Sequence, residues 1–95
     1  MTDTVSQQKF DDYLQLSQEA LTIAQAAEIT DENAAAEIFS MVGNYLSDAQ
    51  YFADNGDLVR GFAAINYAHG WLDCGARLKI YLVDNNHFFT EDGQD

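Results

Sequence analysis

Apolar side chains recur at intervals of three and four residues along most of this chain, which is the period of an amphipathic α-helix. The pattern is interrupted twice, so it predicts three helices, over about residues 4–28, 31–55 and 57–83. The faces expected to point inward on the first two helices carry Phe10, Tyr13, Leu14, Ser17, Ala20, Leu21 and Ala24, and Ile38, Met41, Val42, Tyr45, Ala49 and Phe52. No strand pattern competes with this interpretation.

The residues at the two interruptions are suited to ending one helix and starting the next. In the first, Thr30 or Asp31 is placed to cap the N-terminus of the second helix. In the second, Asn55-Gly56 suits the left-handed turn that ends a helix, and Asp57 is placed to cap the third. Because short turns oblige long consecutive helices to run antiparallel, we predict an all-α, up-down-up three-helix bundle.

The third helix has a broad inward face that includes several small residues. The residues predicted to lie on this face are Leu58, Gly61, Phe62, Ala64, Ile65, Ala68, Leu72, Gly75, Ala76, Ile80 and Val83. A glycine inside a helix costs about 1 kcal/mol relative to alanine. We therefore expect Gly61 and Gly75 to lie where a neighbouring helix approaches closely.

The chain has the length of one small domain. We expect the bundle to occupy residues 1–84 and residues 85–95 to form a C-terminal tail whose last residues are disordered. Two interpretations of His87, Phe88 and Phe89 in this tail are open. They either fold back over the end of the bundle or act as a docking peptide.

The chain is strongly acidic, with 16 Asp and Glu against 4 Lys and Arg and a formal net charge of -12. The acidic residues are spread over every segment. Such a surface is best tolerated in concentrated salt, because the Debye length falls to about 3 Å at 1 M. The composition therefore predicts a halophilic protein, and it argues against nucleic acid as a partner, since phosphate binding depends on Lys and Arg.

Several features indicate a cytoplasmic protein. No apolar run approaches the roughly 20 residues of a membrane-spanning helix, and the N-terminal residues lack the pattern of a signal peptide, so no membrane association is expected. The single cysteine, Cys74, cannot form an intramolecular disulfide and fits a reducing compartment.

One edge of the third helix carries a polar cluster. It consists of Asn66, His69, Asp73 and Arg77. At these spacings His69 can meet Asp73, and Asp73 can meet Arg77. A histidine oriented by a carboxylate would serve as a general base or ligand-binding group, with Arg77 holding an anion. The structural interpretation, which we favour, is a half-buried His69 bonded to Asp73 or to a hydroxyl such as that of Tyr13 or Tyr45.

The opposite side of the third helix carries an apolar strip. The candidate interface residues on this side are Arg60, Tyr67, Trp71, Leu78 and Tyr81. Two neighbouring helices cover only part of a helix circumference, and exposed Tyr, Trp and Arg side chains are typical of protein interfaces. The leading hypothesis is therefore a non-enzymatic module that pairs with itself or with another protein through the third helix. The alternative is a small-ligand or catalytic site around the polar cluster.

Known catalytic and cofactor motifs do not occur in the sequence. There is no nucleophile elbow, phosphate loop, paired CxxC or HExxH. A metal site is not expected, because His69 and Asp73 supply only two ligands. Cys74 is interpreted as a small apolar filler, since Arg77 lies on another side of the helix. We expect no cofactor and favour a protein that is not an enzyme.

One contiguous string of residues is unusual enough to suggest a family. The segment "DAQYFADNGDLVRGFAAINYAHGWLDCGARL", residues 48–78, resembles the archaeal family known as domain of unknown function 357. The matching features are Tyr51-Phe52, Gly56-Asp57 and the helix from Tyr67 to Asp73. The resemblance implies an archaeal, cytoplasmic three-helix bundle without an assigned activity, and with the acidic surface it implies a haloarchaeal member. The family often has glycine where this chain has Lys79, a departure at the helix end.

Overall fold

The computed structural model describes residues 5–84, which form three α-helices and one small sheet. The helices are α1 (Gln7–Ala26), α2 (Glu32–Asp54) and α3 (Leu58–Arg77), and the strands are β1 (Glu28–Ile29) and β2 (Tyr81–Leu82). The predicted all-α three-helix bundle is confirmed. Helix α3 packs closely against α2 and less extensively against α1. The predictions for the tail, residues 85–95, lie outside the described residues.

Side-chain caps explain where the helices begin. The Ser6 hydroxyl accepts a hydrogen bond from the backbone N–H of Lys9 at the start of α1. Asp31 and Asp57 cap α2 and α3, each accepting from the backbone N–H three residues later at 3.0 Å. Each cap satisfies one of the backbone donors that a helix leaves unpaired in its first turn. The predicted N-caps of α2 and α3 are confirmed.

The end of α2 also follows the prediction. Gly56 has a φ of 79°, in the left-handed region that glycine adopts without steric cost. The backbone N–H of Asp57 donates to the carbonyl of Phe52 at 2.8 Å, and that of Gly56 donates to Ala53 at 3.0 Å. This pair of bonds is a Schellman motif, which closes the helix and turns the chain back.

The end of α3 differs from the prediction, which extended this helix to residue 83. The helix ends at Arg77, and a second Schellman motif follows, in which Ile80 N–H donates to Gly75 at 2.9 Å and Lys79 N–H to Ala76 at 3.1 Å. Lys79 occupies the left-handed position with a φ of 59°. No glycine marks this end, so the sequence lacks the usual stop signal.

The residues after α3 form a strand that the helical pattern concealed. Strand β2 pairs antiparallel with β1, with Glu28 opposite Leu82 and Ile29 opposite Tyr81. Thr30 extends the pairing, because its N–H donates to the Ile80 carbonyl at 2.9 Å. The prediction of no strand is therefore wrong for these residues. A two-residue strand is too short to show a period in the sequence.

The hydrophobic core lies between α3 and the other two helices. Its buried apolar members are Phe10, Ala20, Ala24, Ile38, Val42, Leu46, Ala49, Ala64, Ile65, Ala68, Leu72, Ala76 and Tyr81. Gly61 lies at a close approach, since a Cβ there would be 2.8 Å from the Phe10 ring and 3.0 Å from the Ala49 carbonyl oxygen. The expected packing role of Gly61 is confirmed. No helix within residues 5–84 is long and apolar enough to cross a membrane.

Candidate functional site

Helix α3 carries the two candidate sites on different sides. Residues Tyr67 and His69 are about 200° apart around the helix axis at 100° per residue. His69 faces α1, where its ring contacts Ser17. Tyr67 faces α2, where its ring stacks on Tyr45 with centroids 5.5 Å apart. The core stripe of α3 separates the two sites, so they are independent surfaces.

The polar cluster is built around His69. Its Nδ1 lies 2.9 Å from the Ser17 hydroxyl oxygen, and its Nε2 lies 3.9 Å from Oδ1 of Asp73. The second distance permits an ion pair when the ring is protonated but is too long for a hydrogen bond. A hydroxyl partner for His69 was predicted, but the hydroxyl belongs to Ser17 and not to a tyrosine. Ser17 was predicted to lie on the inward face of α1, but its pairing with His69 was not predicted because its neighbours on that face are apolar.

Ser17, His69 and Asp73 have the composition of a hydrolase catalytic triad, but the serine is not accessible to a substrate. Ser17 is 0% exposed, and its hydroxyl is engaged with the histidine ring. A nucleophile must reach the substrate, which a fully buried hydroxyl cannot do in this conformation. This arrangement instead joins α1 to α3 through a hydrogen bond between a buried hydroxyl and a half-buried histidine ring.

The other two predicted members of the polar cluster, Asn66 and Arg77, occupy exposed positions of α3. Asn66 is exposed and borders a depression formed with Tyr67 and Trp71. Arg77 is exposed in the last turn of the helix. Within residues 5–84 no group of three or more His, Cys, Asp or Glu side chains is arranged to hold a metal ion. The polar contacts at His69 therefore involve Ser17 and Asp73, with Arg77 one turn after Asp73 on the same helix.

The apolar strip is largely exposed. Tyr67 is 63%, Trp71 39% and Leu78 66% exposed, and the side chains of Arg60 and Cys74 are exposed as well. These five residues follow one side of α3 from its first turn to its C-cap. In the structure the apolar strip consists of these five residues.

Tyr81 does not belong to this strip, contrary to the prediction. Because α3 ends at Arg77, the chain turns at Lys79 and carries Tyr81 into the core, where it is 0% exposed and stacks on Phe39 with centroids 5.4 Å apart. Its hydroxyl donates to the backbone carbonyl of Leu72 at 2.7 Å. Burial, followed by the charges of Asp73 and Cys74, raises the pKa of Tyr81 well above its usual value.

Two shallow depressions flank Tyr67 on the apolar strip. The first, about 240 Å³ in volume, lies over the seam between α2 and α3; its lining residues are Tyr45, Asp48, Phe52, Arg60, Ala63, Ala64 and Tyr67. The second, about 350 Å³, lies on α3; its lining residues are Asn66, Tyr67, Gly70, Trp71 and Cys74. The contributions of Tyr45, Phe52 and Gly70 to this surface were not predicted, although the spacing of Ala63 and Gly70 by one heptad was visible in the sequence.

A larger depression, about 460 Å³, lies on the outer face of α1. Its lining residues are Gln15, Gln18, Glu19, Thr22 and Ile23. All of them belong to a single helix, so no second element closes over the space. No aromatic side chain lines it, and it is open to solvent, unlike the enclosed clefts that bind ligands.

Comparison with known proteins identifies a family but no characterised relative. The model of the family described as "Protein of unknown function (DUF357)" matches residues 12–81. This span includes most of α1 and all of α2 and α3. No curated protein and no solved structure matches the chain.

Proposed function

This chain belongs to the DUF357 family of unknown function, and we propose that it is a non-enzymatic module that binds another protein, or a second copy of itself, through the apolar strip of α3. The observation that carries this proposal is the exposure of Tyr67, Trp71 and Leu78 along one side of a single helix. Aromatic side chains grouped in this way are enriched at protein interfaces and supply a large share of their binding energy.

The neighbourhood of the strip supports the same function. Tyr67 stacks on Tyr45, so its ring is held in place before any partner arrives. A side chain that is already ordered loses less conformational entropy on binding than a freely rotating one. The strip therefore combines exposed apolar surface with partial preorganisation.

A small-ligand or catalytic site around His69, Asp73 and Arg77 is the alternative function. It has less support, because Ser17 is sealed in the core and bonded to the histidine ring. The arrangement is better suited to holding two helices together than to turning over a substrate.

We further propose that the protein works in a salt-rich archaeal cytoplasm. The acidic surface supports this proposal: 16 acidic residues face 4 basic ones in a chain of 95 residues. In dilute salt the mutual repulsion of these charges opposes the compact state, and concentrated salt screens it. The same charge disfavours nucleic acid as the partner.

The interaction function is tested by comparing two aromatic substitutions. Trp71→Ala removes the ring at the middle of the strip, whereas Tyr51→Ala removes an aromatic ring that is 65% exposed on α2 and lines neither depression, contacting the first only through the edge of Phe52. The wild type and both variants are analysed by sedimentation velocity, alone and after incubation with cell lysate, and their unfolding by urea is measured. We expect Trp71→Ala to reduce association at least tenfold while Tyr51→Ala does not. Strictly monomeric wild-type protein that binds nothing, or equal effects of the two substitutions, would contradict the proposal.

A further inference from the structure

The two depressions beside Tyr67 are spaced like the side chains of a helix. Ala63 lies in the first and Gly70 in the second, seven residues or about 10.5 Å apart along α3. A Cβ added to Gly70 would meet no atom within 4 Å, so the space above Gly70 in the second depression is empty and can receive a side chain. One face of an α-helix presents side chains at this interval every two turns. An incoming helix could therefore place one anchor on each side of Tyr67.

The walls of the depressions determine what kind of anchor fits. The rings of Tyr45 and Phe52 line the first, and that of Trp71 lines the second, with Tyr67 between them. Such walls are best matched by apolar side chains, because a polar anchor would lose its hydration without gaining enough hydrogen bonds. The partner surface is therefore apolar at two positions one heptad apart.

Charge next to the depressions favours a cationic partner. Asp48 is exposed and lines the first depression. The only basic side chain there, Arg60, already lies 3.5 Å from the carboxylate of Asp57. The carboxylates of Asp48 and Asp57 outnumber the guanidinium of Arg60, so this edge of the surface is negative. The whole chain is negative as well, with a net charge of -12. Concentrated salt screens long-range steering, so the preference for a basic partner acts between groups in contact, such as Asp48 and a Lys or Arg placed beside it.

A second copy of the chain fits the strip less well. A parallel pair sets each residue against itself, so Arg60 meets Arg60. In any arrangement each copy brings the same large negative charge.

We infer that the apolar strip receives a basic amphipathic helix of another protein, with two apolar anchors seven residues apart on either side of Tyr67 and Lys or Arg on its flanks. This inference rests on the proposed interaction function and names the partner that the strip suits. Asp48 is the acidic residue that lines the first depression, and it would pair with a flanking Lys or Arg of the partner.

The test uses three synthetic peptides labelled with a fluorophore and free of tryptophan. The first carries leucines at heptad spacing with lysines on the remaining surface. The second has glutamates in place of the lysines, and the third has the composition of the first with its leucines moved out of helical register. Binding to the full chain is followed by fluorescence anisotropy at the lowest KCl concentration that keeps the wild type folded.

We expect the lysine peptide to bind one to one, with an affinity that falls as KCl rises, and the other two peptides to bind at least tenfold more weakly. Gly70→Leu fills the second depression from a site with open space around it, and should weaken binding about tenfold without disturbing the fold. Asp48→Asn should weaken binding by a smaller factor, and Tyr51→Ala, whose ring lines neither depression, should change it by less than about twofold.

Equal binding of the lysine and glutamate peptides would overturn the inference, as would binding of the lysine peptide that Gly70→Leu and Trp71→Ala leave unchanged. If no peptide binds but the wild type sediments as a dimer that Trp71→Ala disrupts, a second copy occupies the strip. The interaction function then stands and the inference of a basic helix is wrong. If no peptide binds and no association depends on Trp71, both are wrong.

Discussion

The Tyr81 ring occupies the space next to Gly75 that any larger residue would need. A Cβ added to Gly75 would overlap the Tyr81 hydroxyl and lie 2.7 Å from its Cε2 atom. The same hydroxyl donates to the carbonyl of Leu72 at 2.7 Å. A residue that follows α3 by a turn thus packs back against that helix, and the glycine is what allows the contact. The expected packing role of Gly75 is confirmed, although its partner is a tyrosine and not a helix.

Gly75→Ala should destabilise the protein by about 2 kcal/mol or more, because overpacking of a filled core outweighs the gain of about 1 kcal/mol in helix propensity. Urea unfolding monitored by circular dichroism measures the change. Gly70→Ala is the matched control on the same helix, where open space surrounds the new methyl group, and it should stabilise by up to about 1 kcal/mol. Equal effects at the two glycines would show that Tyr81 does not fill this space.

Burial of Tyr81 should make stability fall at high pH. The pKa of Tyr81 is raised in the folded state. As the pH rises, the unfolded chain therefore loses the phenolic proton near its ordinary pKa of about 10, while the folded protein still holds it. The contribution of the buried, neutral phenol to the free energy of unfolding is fully present below that pH and is lost as the pH rises toward the pKa of the folded state. Urea unfolding at a series of pH values measures the slope. Tyr81→Phe should cost about 1 kcal/mol near neutral pH and reduce the high-pH decline; an unchanged decline would assign it to other groups.

Lys79→Gly should stabilise the protein by about 1 kcal/mol. Lys79 has a φ of 59°, and a side chain at this left-handed position carries a steric cost that glycine avoids. Thermal and urea unfolding give the change in free energy. Lys79→Ala removes the same charged group but keeps a Cβ, so it should produce no comparable gain. A loss of stability in the glycine variant would mean that contacts of the lysine side chain outweigh the backbone cost.

Ser17→Ala should destabilise the protein by about 1–2 kcal/mol, because it takes the hydroxyl partner from a histidine ring in a largely buried setting. Ser40→Ala, at an exposed position of α2, is the matched control and should change stability by less than about 0.5 kcal/mol. Both are measured by urea unfolding. A neutral Ser17→Ala would show that the bond to His69 does not hold α1 against α3.

The unfolding free energy of the wild type should rise as KCl increases from about 0.01 M to 1 M, over which the Debye length falls from about 30 Å to 3 Å. Screening reduces the repulsion among the acidic residues that opposes the compact state. Replacing the exposed Glu37 and Asp48 with Gln and Asn should raise stability in low salt and flatten this dependence. Stability that is independent of KCl in both proteins would contradict the proposed adaptation to salt.

The parts of the fold that sequence reasoning captured depend on residues close together in the chain. Asp31 and Asp57 cap helices through bonds to residues three positions away. Gly56 ends α2 because its own backbone adopts a positive φ. Such interactions need no knowledge of the remaining structure, so their signals can be read directly from the sequence.

The end of α3 was predicted wrongly because its signal is not local. Residues 78–83 are mostly apolar and fit a helical period as well as a strand. Lys79 stands where a glycine would have marked the stop, and strand β2 forms only because β1, some fifty residues earlier, lies beside it. This single error also placed Tyr81 on the surface, whereas the turn carries it into the core.

The sequence by itself determined the three helices, the caps of α2 and α3 and most of the inward-facing residues, because hydrophobic period and capping chemistry act within a few residues. Tyr13, predicted to face inward, is 38% exposed. Only the tertiary structure decided that Ser17 is the partner of His69, that Tyr45 holds Tyr67 in place, and that Tyr81 is buried against Gly75. Each of the first two pairs joins different helices, and the third depends on where the chain turns after α3. Packing between distant segments, which no local pattern encodes, therefore decided the form of both candidate sites.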